Sequence, residues 1–254
     1  MHQHDTIDRI SPSLEPDQPV VMLQNWLHLG FFHWEVPAAE LQRLIPPQLT
    51  VDTFEGKAYI GIVPFTITGV RPVLLPPLPG VSSFDEVNVR TYVHHKGTNP
   101  GVFFFSLDCN STLAVNAARA AYHLPYFDAR IEFTAREERG LSRIDYVVHR
   151  EDERGPLPAH AHLQYGPLEG PSGPSSPGTL EHFLIERYIL YAEHEHHLHR
   201  ARVHHQPYHV HRAELARLEE TLIWSAGIKR GEEAPLRHYA REVNVKIYPL
   251  ERVP

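Results

Sequence analysis

The chain is poor in lysine and almost free of cysteine. Of its 254 residues, four are lysines (Lys57, Lys96, Lys229 and Lys246) and one is a cysteine, Cys109. One cysteine excludes any intrachain disulfide and suits a reducing cytosol. Four lysines leave only four places for chemistry that needs an amine. No apolar run approaches the ~20 residues of a membrane span. The first twenty residues lack a basic start followed by an apolar core, so no secretory signal is expected. Acidic residues outnumber basic ones 31 to 24, giving a formal charge of -7, which argues against a nucleic-acid partner. Neither a Gly-x-Gly-x-x-Gly pattern nor a phosphate loop is present, and Ser106 and Ser111 lack the flanks of a nucleophile elbow. Nucleotide binding and serine hydrolysis thus have no support, and no cofactor is expected. These absences point to a cytoplasmic protein with neither membrane nor nucleic acid as partner.

What is present is a globular composition, 42% hydrophobic, punctuated by 23 prolines and 15 glycines. Frequent breakers favour short strands and loops over a helical bundle. Residues 1–20 are polar and read as a flexible tail, and residues 21–254 read as a single domain. Strands are expected at residues 26–34, 59–68 (interrupted at Pro64), 126–136, 141–150, 160–165, 188–191, 198–204 and 241–248. Short helices are expected at residues 38–44 and 179–187, and residues 213–222 fit either type. The Pro/Gly/Ser tract at residues 168–178 lies between β-rich segments and reads as a long loop inside one fold. The pattern predicts an α+β fold built on a strongly twisted or closed antiparallel sheet.

The stretch from residue 84 to 126 carries the most chemistry. Side chains alternate along a strand, so Glu86, Asn88, Arg90 and Tyr92 share one face, while Val87, Val89 and Val93 share the other. The hairpin partner at residues 102–108 is apolar on both faces, which predicts burial on both. An acid, an amide, a guanidinium and a phenol on a buried face are costly unless each is satisfied. That face is therefore the expected wall of a ligand pocket. Residues 111–122 predict a helix capped by Asn110 or Ser111, apolar nearly all round and hence buried, with Arg119 as its only formal charge. Glu86 suits an acid/base role, and Arg90 or Arg119 suits a bidentate grip on a carboxylate or phosphate. The competing structural reading has Arg119 satisfied by Glu86 or Asp108.

Several segments resemble the YqjF-like family, an uncharacterised and mostly bacterial group carrying domain of unknown function 2071. They include Phe32-His33-Trp34-Glu35-Val36-Pro37, Val63-Pro64-Phe65, Glu86 through Val93, Phe105-Ser106-Leu107-Asp108, Ala118-Arg119 through Leu124-Pro125-Tyr126, Phe183 through Tyr188, and His205-Gln206-Pro207-Tyr208. The resemblance implies an acetoacetate-decarboxylase-like fold: a closed antiparallel β-barrel or sheet around a pocket, with a few short helices packed outside. It also exposes a departure. Acetoacetate decarboxylases follow an arginine, six residues on, with a proline and then the lysine that forms a Schiff base. Arg119 and Pro125 keep that spacing, but Tyr126 and Phe127 stand where lysines would. A phenol forms no imine, so the electron sink for decarboxylation is absent.

The expected function is binding of a small organic acid or carbonyl compound in a polar-lined pocket. Glu86 and Tyr126 are the candidate catalytic pair, and Asn88, Arg90, Tyr92, Arg119 and His205 the candidate ligand-binding residues. A non-catalytic sensor or carrier would use the same pocket without turnover. A His-rich metal protein is the third reading, since 20 histidines include a run from His194 to His199 with His204, His205, His209 and His211. No His-Glu-x-x-His spacing occurs, and the run falls at an expected hairpin tip, so no metal site is assigned. Cys109 reads as a small core residue, and His33 as a hydrogen-bonded core histidine. The expected partner is a small-molecule ligand; a homo-oligomer is compatible with the sequence.

Overall fold

Period-two alternation gives way to helix only in short pieces, and the computed structural model, which describes residues 7–78, 82–156 and 158–254, is accordingly dominated by strands. In chain order the elements are β1 (Met22–Val36), α1 (Ala38–Gln42), β2 (Thr50–Val51), β3 (Ala58–Pro72), β4 (Phe84–His95), β5 (Thr98–Cys109), α2 (Thr112–Tyr122), β6 (Tyr126–Glu138), β7 (Leu141–Arg150), β8 (His160–Pro167), α3 (Leu180–Ile185), β9 (Ile189–His194), β10 (His197–His205), β11 (Val210–Glu220), α4 (Leu222–Ser225), β12 (Leu236–Ile247) and β13 (Glu251–Arg252). The ambiguous segment at 213–222 resolves into the end of β11 followed by α4.

All strands belong to one sheet, and it closes on itself. A wall of β12, β1, β3, β4 and β5 forks at both edges. At one edge β5 pairs with β6 through Leu107–Cys109 and with β9 through Val102–Phe103. At the other edge β12 pairs with β11 through His238–Ala240 and with β10 through Val245–Ile247. One arm, β6-β7-β8-β11, closes a larger ring; the other, β9-β10, closes a smaller one. Both ladders at the β5 fork are parallel, while the remaining ladders are antiparallel. Parallel neighbours require crossovers, and α2 and the long passage through β6–α3 supply them.

The two faces of the wall carry separate cores. Val87, Val89 and Val93 of β4 join Phe32, Ile60 and Ile62 in the larger ring. Tyr92 joins Phe31, Val63, Phe65 and Phe183 in the smaller ring. The alternation along β4 thus sends its valines one way and its polar side chains the other. Pro64 does not interrupt β3. It pairs opposite Val87 of β4, and on its other side the β1–β3 ladder skips between Leu27 and Phe32, so its missing N–H falls where a bond is already absent.

Two expectations need correction. Helix α2 is not buried all round: only Val115 is fully covered, and Leu113 is 61% exposed. Its alanines fill too little space to pack it into a core. The tail expected at residues 1–20 is held to the body over its described part. Arg9 Nη2 donates to Asp52 at 2.5 Å, Arg202 Nη2 donates to the Pro12 carbonyl at 2.8 Å, and Lys246 Nζ donates to Glu15 at 2.5 Å. Residues 1–6 lie outside the described residues.

Candidate functional site

The smaller ring encloses a cavity of ≈ 230 Å³, bounded by the inner face of the wall, by β9 and β10, and by one side of α2. Glu86, Asn88 and Arg90 of β4 line it, as does Tyr126 at the start of β6. Register explains their convergence. Glu86 pairs opposite Cys109 of β5, and Cys109 pairs opposite Asp128 of β6, so the start of β6 lies near Glu86. Tyr126 Oη donates to Glu86 Oε2 at 2.6 Å. A bulge at Phe105 of β5, between the Val89–Ser106 and Arg90–Phe104 pairs, lets both Phe104 and Leu107 face the cavity.

Glu86 is 2% exposed. Burial pushes its carboxyl up to about 7, against the bonds from Tyr126 and Asn88, which favour the charged form, and with the negative charge of Asp108 adding to the rise. Burial and the adjacent Glu86 hold the Tyr126 phenol well above its ordinary value. Glu86 is thus the member of the pair that titrates near neutrality. Asn88 is bonded to Glu86, and its Oδ1 is buried without a partner.

Arg90 is a buried guanidinium with no carboxylate in salt-bridge reach among the described residues. Its Nη2 donates to the Leu184 carbonyl at 3.3 Å, its Cζ lies 5.6 Å from the Phe31 ring centroid, and its Nε has no partner. Arg187 lines the same cavity. Its Nη1 donates to Asp52 at 3.0 Å, but Asp52 also accepts from Arg9, and Arg187 Nη2 is left without a partner. Two guanidiniums thus share one fully buried carboxylate, while Arg90 has none.

Three of the sequence candidates do not line the cavity. Tyr92 is fully buried, its Oη donating to the Leu184 carbonyl at 2.6 Å and meeting His33 Nε2 at 2.6 Å. The hydroxyl has one proton, so His33 Nε2 donates to it, and this fixes the tautomer of a histidine whose Nδ1 is unpartnered. Arg119 pairs with neither Glu86 nor Asp108; its Nη1 donates to the Tyr126 carbonyl at 2.8 Å. The physical reason is helical phase. Ala114, Ala117, Ala118 and Ala121 form the stripe that faces the cavity, and Arg119 lies ~100° round from Ala118. His205, at the end of β10, is buried without lining the cavity, its ring 4.6 Å from Tyr188 and 4.4 Å from Tyr208, where it packs behind the lining residue Tyr208. The sequence reading passed over Arg187 and Tyr208, both lining residues. Arg187 carried a weaker signal: with Glu186 it forms a pair of adjacent charges inside an otherwise apolar run, residues 183–188.

No lysine lines the cavity. Lys57 and Lys246 are surface residues paired with Glu35 and Glu15, and Lys96 sits in the β4–β5 turn. Cys109 is fully buried and burial raises its thiol, the opposite of a reactive cysteine. The histidine run forms the β9–β10 hairpin tip, with His194 opposite His197 and the His196 side chain 99% exposed. No group of three or more metal-ligating side chains converges among the described residues. Zinc is therefore expected to bind weakly there and leave the melting temperature unchanged. A zinc-dependent rise in melting, abolished by replacing His196, His197 and His199 with alanine, would contradict that placement.

Comparison with known proteins places this geometry. Residues 23–244 match the model of a family described as an uncharacterized conserved protein, DUF2071, and the chain belongs to that family. It is 38% identical over 237 residues to the uncharacterized protein YqjF of Bacillus subtilis (strain 168), covering 93% of this chain and 94% of that one. Among solved structures, the enduracididine biosynthesis enzyme MppR with HEPES bound aligns with a TM-score of 0.64 at 12% identity, over 94% of this chain and 89% of that one. MppR has also been solved in complex with pyruvate, aligning with a TM-score of 0.59 at 11% identity over 94% and 92% of the two chains. An acetoacetate-decarboxylase-like enzyme from Sphingomonas wittichii RW1 aligns with a TM-score of 0.63 at 12% identity, over 92% and 94%. At these identities the likeness establishes the fold, which is acetoacetate-decarboxylase-like, and nothing of the chemistry. No helix of the described residues is long and apolar enough to cross a membrane.

Proposed function

We propose that the chain binds a small organic acid in this cavity, with the carboxylate held by Arg90 and the unpartnered Nη2 of Arg187. The observation that carries the reading is Arg90. A buried guanidinium with an unpartnered Nε and no carboxylate nearby is costly in the empty protein. An anionic ligand supplies the missing partner. The pyruvate bound by MppR, a protein of like fold, is of that class. Glu86 and Tyr126 stand further along the cavity, four residues and ~13 Å of strand from Arg90, facing the part of the ligand beyond its carboxylate. A carboxyl near pH 7 suits transfer of a proton to or from carbon next to a carbonyl. Asn88 Oδ1 is an acceptor in want of a donor, which an enol or hydroxyl provides.

Pyruvate is the first probe. It is expected to raise the melting temperature of the wild type, and Arg90→Ala is expected to weaken its binding by roughly 30-fold or more, the lower range for truncating one member of a buried charge pair. Without ligand, Arg90→Met should be no less stable than wild type, because it removes an unpaired charge. Equal pyruvate binding by wild type and Arg90→Ala would defeat the proposal. Turnover is separated from mere carriage by exchange of the pyruvate methyl protons in D2O. Wild type should catalyse it and Glu86→Gln should not; exchange in neither leaves a carrier. Borohydride with acetoacetate should trap no adduct, and stoichiometric labelling of Lys57, Lys96, Lys229 or Lys246 would refute the imine-free chemistry.

A further inference from the structure

The cavity carries both of its guanidiniums at one end, and the other end leads outward. Along β4 the cavity-facing residues run from Phe84, which is half-buried, through Glu86 and Asn88 to Arg90, which is 9% exposed. The strand spans ~20 Å between Phe84 and Arg90. Both guanidiniums of the lining, Arg90 and Arg187, lie toward the buried end, while Glu86 lies between, two residues from Phe84 and four from Arg90. Arg187 is placed there by Asp52, whose N–H donates to the Tyr92 carbonyl at 2.9 Å, two residues past Arg90. At the Phe84 end the wall is apolar apart from Gln24, whose amide is engaged by Met22 and Trp26. Ile67 pairs opposite Phe84, with Val70 beyond it, and Ile247 closes the other side.

Helix α2 keeps this outer half open. Apart from Tyr122 at its last turn, it presents only alanine methyls to the cavity, at i, i+3, i+4 and i+7, and two of them, Ala117 and Ala121, are also exposed. The opening therefore lies beside α2, at the apolar end. A cavity of ~150 Å³ lined by apolar side chains holds benzene. By proportion, ≈ 230 Å³ admits ~9 non-hydrogen atoms. Pyruvate has six. A three-carbon acid seated on Arg90 leaves the outer third of the cavity to water with few polar partners.

On these grounds we infer that the natural ligand is a monocarboxylate with a carbonyl or hydroxyl near its head and an apolar tail of three or more further carbons. Its head lies at Arg90 and its tail runs between Phe65, Phe104 and Leu107 toward the alanine stripe of α2. This inference rests on the carboxylate-binding reading above and adds the ligand's length and polarity.

The test is a calorimetric series: pyruvate, 2-oxobutanoate, 2-oxopentanoate, 2-oxohexanoate and 2-oxooctanoate, with 2-oxoglutarate as a charged-tail control. Each added methylene up to 2-oxohexanoate should tighten binding about fourfold. 2-Oxoglutarate should bind more weakly than 2-oxopentanoate, because its second carboxylate meets an apolar wall. Ala118→Phe should collapse the series by filling the outer half, so that the long acids lose their advantage. Affinity that is flat or falling with length in the wild type overturns the inference and leaves the carboxylate reading standing, as does preference for 2-oxoglutarate. If no acid binds, or if Arg90→Ala changes none of the affinities, both fall together. The wild-type series decides the matter whether or not the phenylalanine variant folds.

Discussion

Arg150→Ala is expected to destabilise the protein by about 3–5 kcal/mol, the range for breaking a buried ion pair by removing one partner. Arg150 and Asp108 are 1% and 0% exposed at the side chain, and the guanidinium grips the carboxylate with both edges, Nε to Oδ1 at 2.5 Å and Nη2 to Oδ2 at 2.8 Å. Arg150 also lies 4.4 Å from the Phe127 ring centroid and donates to the Pro156 carbonyl at 3.1 Å. Asp108 is the middle residue of the β5 segment that pairs with β6, and Arg150 ends β7, so the pair ties the fork of the sheet to the larger ring. Burial already raises the Asp108 carboxyl against the bonds from Arg150 and Ser106, and loss of Arg150 raises it further. The variant should then recover part of its loss on acidification, as Asp108 takes up a proton. Arg150→Met with Asp108→Leu should restore most of the stability, since both charges leave together. Urea denaturation of the single and double variants measures both effects. A loss below ~1 kcal/mol for Arg150→Ala would show that the pair is not buried as described.

What the sequence disclosed and what it hid divide along local and non-local physics. The placement of Glu86, Asn88 and Arg90 on one face follows from the two-residue period of a strand, and the apolar partner strand revealed that this face is covered. The hairpin tip holding the histidine run was equally local, as were the Ser111 cap of α2, which accepts from the Ala114 N–H at 3.3 Å, and the loop at residues 168–178. Arg119 misled because a helix of alanines has no strong face. Its one charge looked like a message from the pocket, when the alanines themselves were the pocket wall. Asp108 and Arg150 are 42 residues apart and Asp52 and Arg187 are 135 apart. Nothing near either residue names its partner, and only the closure of the sheet brings them together. The parallel ladders of β5 were hidden for the same reason: alternation identifies a strand, but it does not choose its neighbour.

Glu86 gives the molecule a pH dependence with a sign opposite to ordinary acid denaturation. Its carboxyl lies at about 7 in the folded protein against an ordinary value of 4.5. Between those values the folded state holds a proton that the unfolded chain releases. For this group, stability is lowest above pH ~7, rises as the pH falls through that window, and levels off below ~4.5. At ~1.4 kcal/mol per tenfold difference in proton affinity, the full difference is about 3 kcal/mol. Other carboxylates also contribute to the raw profile: burial raises Asp85 and Glu186 as well, while Arg154 lowers Asp152. The comparison that isolates Glu86 is therefore with Glu86→Gln, whose amide oxygen still accepts from Tyr126 Oη. Urea midpoints taken from pH 4 to pH 9 should coincide at the acid end. Toward pH 8.5 the variant should become the more stable protein by about 3 kcal/mol. A difference that stays constant across this range would mean that Glu86 does not titrate there, and the acid/base role proposed for it would be lost. A bound carboxylate adds negative charge to the low-dielectric cavity that Glu86 faces and should push its titration higher still, so pyruvate binding should be accompanied by proton uptake between pH 7 and 8. Calorimetry in buffers of different ionisation heat reads that uptake directly, and Glu86→Gln should abolish it.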